Sequence, residues 1–359
     1  MPHISPNVFA PVSPRLFCGR RPWFPTKWNL PAHTKEPAQM WKTISMRFIR
    51  KVICMLTIDF INVGYGDAIL IREIKDGVPV FAALIDCGDA ETGKQISSGR
   101  IQPADFLAME GISHLDLLIV THLHLDHAGG LGRIADEIGI SRHFCNYIPD
   151  TTFWGKTFSI PEGSSEGAAR LIQSANIFSR ALCSMSQKGA DIRLIHETCS
   201  FSLWNTRFSI YAPDPALNFL HQGILDELYR GNIQLQKLDI LHELINDTSL
   251  CLRVEYAGRS FLLTSDISAA KFPDSSRCTV LKVPHHGHGD SMTPGLAAVL
   301  DAEYAVISVS NDRKDNCPDA EIIKMLAVAG TKVLITDQPG GTPSIRFTVT
   351  ESGQLFCSR

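Results

Sequence analysis

The sequence predicts an α/β fold whose strands end, one after another, in polar loops that together build a metal site. Three observations predict it. From about residue 55 onward, short apolar or alternating runs recur, separated by turn residues and by stretches of helical period. Four successive runs in the second half each stop at a polar loop, as strands do in sheets that carry a site at their C-terminal edges. Finally, Thr121-His122-Leu123-His124-Leu125-Asp126-His127-Ala128-Gly129-Gly130 sets three histidines and one aspartate within six positions, directly after the run Leu115 to Val120.

Residues 1–45 stand apart from this pattern. Pro2, Pro6, Pro11, Pro14, Pro22, Pro25, Pro31 and Pro37 recur without helical or strand period, which predicts a disordered or loosely packed arm. Met46 and Met55 each precede well-patterned sequence, so a later translation start is a second reading. The remainder, 46–359, reads as one domain with a helical insertion over about 150–246.

Leu56–Ile61, Ala68–Glu73 and Val80–Ile85 read as strands, the last two joined by a turn at Asp76-Gly77. The third stops at Asp86-Cys87-Gly88. Helices are expected over Pro103–Glu110 and Leu131–Ile138, on either side of the histidine cluster. In the middle, Ser164-Ser165-Glu166 begins a helix through Ala168–Met185. Phe201–Tyr211 alternates as a strand, and Leu217–Leu244 reads as helix broken near Gly231-Asn232. His196, His221 and His242 fall in this region and read as surface residues rather than ligands. Strands at Leu250–Tyr256, Ser260–Thr264, Cys278–Val283, Tyr304–Val309 and Lys332–Thr336 follow, with a helix over Glu321–Ala329. Two βαβ-like halves are the expected topology.

In an extended segment residues i and i+2 point to one side, so His122 and His124 can grip one cation. Asp126 and His127, side by side where the chain turns away, can aim at a second. Imidazole and carboxylate donors suit zinc, and also manganese or iron. No cysteine lies close enough to close a structural zinc finger.

Composition narrows the function. Hydrophobic residues make up 44% of the 359, and mean hydropathy is +0.03, so a sizeable core is expected. A net charge of −3 gives no global attraction to nucleic acid, and no run of 18 apolar residues predicts a membrane span. Ten scattered cysteines without a CxxC pair suit reduced thiols in a cytoplasmic protein. No nucleophile elbow or dinucleotide fingerprint competes with the metal reading.

His122-x-His124-x-Asp126-His127, preceded by Asp86-Cys87-Gly88 and followed by Asp266 and His285-His286-Gly287, resembles the metallo-β-lactamase superfamily, in particular the soluble hydrolase domain of ComEC-like DNA-uptake proteins. Val63-Gly64-Tyr65-Gly66-Asp67-Ala68, Asn246-Asp247-Thr248-Ser249-Leu250, Leu262-Leu263-Thr264-Ser265-Asp266 and Leu281-Lys282-Val283-Pro284 extend the likeness. The resemblance implies a four-layer αββα sandwich holding two divalent metal ions, Zn2+ foremost with Mn2+ as an alternative. It implies His122 and His124 on the first metal, Asp126 and His127 on the second, and Asp266 bridging both. One further histidine, His285 or His286, would close the second site, with His285 preferred as the nearer to its strand end. Asp67 and Asp86 would orient ligands from behind.

The chain also departs from the pattern. Asn246 to Ser249 stand where many members carry another histidine, Asn62 replaces an aspartate and Tyr65 a glutamine. Asn316-Cys317-Pro318 replaces a Gly-His-Pro, which leaves Cys317 as a soft ligand or as a plain loop cysteine. His288 follows His286-Gly287 where serine is usual, as a phosphate contact or proton donor. The implied function is metal-assisted hydrolysis through a bridging hydroxide, with Asp126, Asp266 and His288 in the reaction. A phosphodiester or nucleic-acid-like substrate, small or short, comes first. A lactone, thioester or β-lactam hydrolase is one alternative, and a metal-holding regulatory module without turnover is another.

Overall fold

The computed structural model describes residues 53–91, 98–274, 276–311 and 317–359. The expected arm at 1–45, Met46 and Asn316 lie outside the described residues.

Strands that read as nearly continuous apolar runs are buried on both faces, which is what a strand between two layers requires. In Leu117–Val120, Leu117 and Ile119 face one core while Leu118 and Val120 face another. Ile69, Ile71, Ala83 and Ile85 join the first of these cores, and Leu70, Ala82 and Leu84 join the second. The first core lies between two sheets, where Phe60, Phe208, Leu252, Phe261, Val306 and Phe347 meet. On the outer face of one sheet pack the helices Pro103–Met109, Leu131–Glu137, Glu166–Gln187, Pro215–Tyr229 and Leu235–Leu244. Pro294–Leu300 and Ala320–Val328 cover the other. The result is the expected αββα sandwich.

Eight strands form the first sheet, in spatial order Leu355–Ser358, Ser344–Thr350, Cys54–Ile61, Ile69–Lys75, Val78–Ile85, Leu117–Val120, Arg142–Cys145 and Asp191–Leu194. Seven form the second, in order Lys332–Ile335, Tyr304–Ile307, Val280–Lys282, Arg259–Leu263, Cys251–Tyr256, Thr206–Tyr211 and Cys199–Leu203. Each sheet is antiparallel through one half and parallel through the other, so the two halves share the expected grammar. The chain then crosses back: Ser344–Thr350 pairs with Cys54–Ile61, placing Phe347 opposite Ile58.

Two expectations need correction. Phe201–Tyr211 is a hairpin rather than one strand, turning at Trp204, whose φ is +53°. The turn is held by the buried Glu73 carboxylate, which accepts from the Asn205 backbone N–H, the Asn205 side-chain amide and the Thr206 hydroxyl. The insertion over about 150–246, expected to be helical but for one strand, also supplies Asp191–Leu194 to the first sheet besides this hairpin to the second.

Val78–Ile85 and Leu117–Val120 are parallel neighbours in the first sheet, as are Arg259–Leu263 and Val280–Lys282 in the second. The loops leaving these four strands carry Asp86, His122, Asp266 and His286. Adjacent parallel strands deliver their C-terminal ends to one edge, so residues far apart in sequence converge there.

Candidate metal centre

Asp86 turns the chain at the end of its strand with φ +58°. Its buried carboxylate accepts from the Thr121 N–H (2.8 Å), from the Thr121 hydroxyl (2.7 Å) and from Nδ1 of His127 (2.8 Å). The last bond orients the ring so that, when it is neutral, Nε2 carries the lone pair, and Nε2 faces Asp266 Oδ2 at 3.1 Å. Gly66 makes the approach of the first loop feasible. Its φ is +120°, and a Cβ there would lie 2.1 Å from the Asp126 carbonyl oxygen.

His285 and His286 both adopt left-handed backbone angles, as does Ser265. With Asp86, that makes four non-glycine residues at positive φ around one site, each costing on the order of 1–3 kcal/mol. The turn sends the two histidines apart. His286 is buried, its Nδ1 donates to the Ser308 carbonyl at 2.7 Å, and its Nε2 lies 3.2 Å from Asp126 Oδ2 and 3.0 Å from Asp266 Oδ2.

Nε2 of His122, His127 and His286 are buried and make no hydrogen bond of acceptable geometry, although carboxylate oxygens lie close to two of them. Close, buried donor atoms left without such bonds are what a shared cation would satisfy. Two ligands about 2.0–2.1 Å from a tetrahedral zinc are themselves about 3.3 Å apart. Asp126, His127, Asp266 and His286 offer one donor atom each, all within 4.8 Å of one another. The residues present therefore fit a divalent cation.

The electrostatics agree. Burial opposes charge on His127, yet Asp266 and Asp86 hold its pKa well above the usual imidazole value. Burial opposes charge on His286 too, and Asp266 still lifts it to about 9. The carboxylates respond in kind: burial works against their ionisation, but neighbouring imidazoles hold Asp126 and Asp266 well below the usual range. The cluster demands positive charge at its centre. His122 and His124 lie outside that demand. Burial lowers both, His124 to about 4, so they stay neutral and able to ligate.

Lys282 is the residue that sequence reasoning missed. Fully buried, its ammonium donates to Asp67 Oδ2 at 2.5 Å, to the Ser265 carbonyl at 2.9 Å and to Asp266 Oδ1 at 3.2 Å. It thereby leaves Asp266 Oδ2 to face the histidines. A lysine inside Thr279-Val280-Leu281-Lys282-Val283 was the available signal, since lysine is almost never fully buried unless paired. Asp67 thus reaches the centre through Lys282, and its Oδ2 is 3.9 Å from His127 Nδ1.

Other expected residues fall out as follows. His122 is buried with Nδ1 3.2 Å from the hydroxyls of Thr121 and Ser249, and its ring lies 4.2 Å from that of His127. His124 sits beside it, ring centroids 5.0 Å apart. Neither belongs to the four-residue cluster. The preference for His285 is corrected. Its Nε2 accepts from the Asn246 amide (3.1 Å) and its Nδ1 faces Asp290 (3.1 Å), so both nitrogens are engaged outside the cluster. Asn246 therefore meets a histidine rather than the cluster. The Cys317 thiol donates to the His286 carbonyl at 2.8 Å, behind the imidazole, which removes it as a soft ligand. His288 stacks on His285 and lines the cavity above the cluster. Asp266 is buried in the cluster, and the next short helix, Ala269–Lys271, begins after Ser268, so Asp266 is no N-cap. His196 is exposed as read, but His221 is buried among helices and His242 reaches His124.

The cavity measures about 600 Å³ and opens onto His124, Asp126 and Asp266. Among the described residues no helix is long and apolar enough to cross a membrane.

The family model of the metallo-beta-lactamase superfamily matches residues 61–309. ComE operon protein 3 of Bacillus subtilis (strain 168) is 25% identical over 304 residues, which cover 79% of this chain and 32% of that protein. The chain thus spans about a third of that relative's length. Among solved structures, the metallo-beta-lactamase fold protein YhfI from Bacillus subtilis matches with a TM-score of 0.43 and 12% identity, covering 85% of this chain and all of the other. A diphosphatase from the PhnP family matches with a TM-score of 0.41 and 13% identity over 85% of this chain and 99% of that one.

Proposed function

The chain belongs to the metallo-beta-lactamase superfamily, and on that footing we propose that it is a metal-dependent hydrolase acting on a phosphodiester, small or a short nucleic-acid-like strand. The observation that carries the reading is the convergence of buried, unbonded imidazole Nε2 atoms on the carboxylates of Asp126 and Asp266. Asp126, His127, Asp266 and His286 would hold one cation, with His122 and His124 holding a second beside it and Asp266 between them. The bound ions, zinc by the donor set, would supply a water activated near neutral pH and positive charge for the leaving oxygen.

The chain's own residues do the rest. Asp86 and the Ser308 carbonyl orient His127 and His286 through their far nitrogens, and Lys282 aims the Asp266 carboxylate. His288 lines the cavity wall, which supports a role in meeting substrate or returning a proton to the departing oxygen. The cavity lining carries Asp126, Glu166, Glu243 and Asp266 against Arg170 alone. Four carboxylates and one guanidinium repel a phosphate until divalent cations reverse the sign. This supports cations as the phosphate-binding element, and the modest cavity supports a short substrate over a long duplex. Absence of any disulfide among the described cysteines supports a cytoplasmic location.

The test is a hydrolysis panel on metal-reconstituted protein: bis-p-nitrophenyl phosphate, single-stranded DNA, RNA, cyclic dinucleotides, lactones and a β-lactam. Turnover of diesters alone supports the reading. Turnover confined to lactones, thioesters or β-lactams would replace the substrate class, and metal binding without turnover on any arm would make the protein a regulatory module.

A further inference from the structure

His242 lies on the helix Leu235–Leu244, one turn before Asn246, and its Nδ1 is 3.1 Å from Nε2 of His124 with ring centroids 4.8 Å apart. We infer that His242 is a positioning residue of the metal centre: it accepts the Nε2–H of His124, fixes that ring, and leaves His124 Nδ1 as the nitrogen able to take a cation. The inference rests on the metal-site reading above.

Two independent features support it. Gly167 stands at the start of the helix Glu166–Gln187, where a Cβ would come within 2.4 Å of His242 Cδ2 and 2.8 Å of its Cγ. Glycine is a poor helix former, so its presence beneath an imidazole has a steric use: it leaves the space the ring occupies. The two helices are also tied together one turn earlier, where the Ser165 hydroxyl donates to Asp239 while capping Ala168. Asp239 and His242 are three residues apart and share a helix face. The tie therefore sets the ring over Gly167 and against His124. The chemistry is that of a metal-bound histidine whose other ring nitrogen donates to a fixed acceptor, the arrangement already made for His127 by Asp86 and for His286 by Ser308. With His242 included, three histidines of the centre are oriented in the same way.

The experiment measures cobalt(II) affinity by chelator competition, with the d–d absorption spectrum and the unfolding temperature recorded alongside, for wild type, His242→Leu, His242→Asn and Gly167→Ala. His242→Leu should lose about 10–100-fold in affinity for one bound ion, the usual effect of removing such a partner. His242→Asn keeps an acceptor oxygen near the Nδ1 position and should restore most of the loss. Gly167→Ala should reproduce the leucine phenotype by displacing the ring. Wild-type affinity in a folded His242→Leu protein would overturn the inference. So would equal losses in the leucine and asparagine variants, which would reduce His242 to a space-filler. Should the leucine variant not fold, the asparagine and Gly167→Ala proteins decide alone. Failure of wild type to bind metal is a different result, and it overturns the metal site itself.

Discussion

Replacing Lys282 by methionine tests whether a buried cation aims the Asp266 carboxylate. Burial works against charge on this lysine, yet Asp67 and Asp266 hold its pKa up at about 12, so it is an ammonium at any working pH. Methionine preserves most of the volume and removes every donor. Asp67 Oδ2 and Asp266 Oδ1 are then left in a region with essentially no solvent contact. Removing one partner of a buried ion pair costs about 3–5 kcal/mol. For a folded unit of this size that corresponds to a fall in unfolding temperature of roughly 5–8 °C. The assay is thermal unfolding of metal-stripped and zinc-saturated protein. The loss should be smaller with zinc, because a cation bound to Asp266 offsets the missing charge. Adding Asp67→Asn should recover part of it, since one unpaired carboxylate disappears. A Lys282→Met protein unfolding within about 2 °C of wild type in both states would refute the reasoning.

Three further predictions follow from the same geometry. His286→Ala should remove one bound metal while His285→Ala retains it, and metal analysis of both variants reads the contrast; the reverse order would restore the preference for His285. Gly66→Ala should destabilise by more than about 2 kcal/mol and release metal, because the backbone strain and the clash with the Asp126 carbonyl act together; denaturant unfolding at constant zinc measures it. Burial lowers the pKa of His221, which is not among the clustered residues, to about 3. Its folded value is depressed, so the unfolded chain takes the proton first, and stability falls as pH drops below about 6.5, levelling near the folded value. His221→Leu should therefore flatten the stability profile between about pH 6.5 and 3 relative to wild type, and parallel profiles would contradict this.

Much of this molecule is legible in its sequence because the chemistry is local. The run Leu115 to Val120 ending at His122-x-His124-x-Asp126-His127 announces both a buried strand and a metal loop, and Asp86 and Asp266 announce themselves as strand ends. Choosing between His285 and His286 was beyond sequence, because consecutive residues at positive φ do not follow the alternation of a strand. His242 was hidden for a different reason. Its helical period marks a surface face, and only the packing of its helix over Gly167 brings the ring to His124. The hairpin at Trp204 depends on Glu73, 131 positions earlier and in the other sheet, a partner no local window contains. The return of Ser344–Thr350 to the first sheet is likewise long-range.

The central claim is that residues from both halves of the chain hold metal at one point. Metal content of zinc-reconstituted protein tests it most directly, measured for wild type and for the double variant His122→Ala with Asp266→Ala, alongside bis-p-nitrophenyl phosphate hydrolysis. The wild-type chain should hold more than one zinc and turn over the diester, and the double variant should lose both while remaining folded. Less than one zinc per wild-type chain with no turnover, or full activity in the double variant, would contradict it.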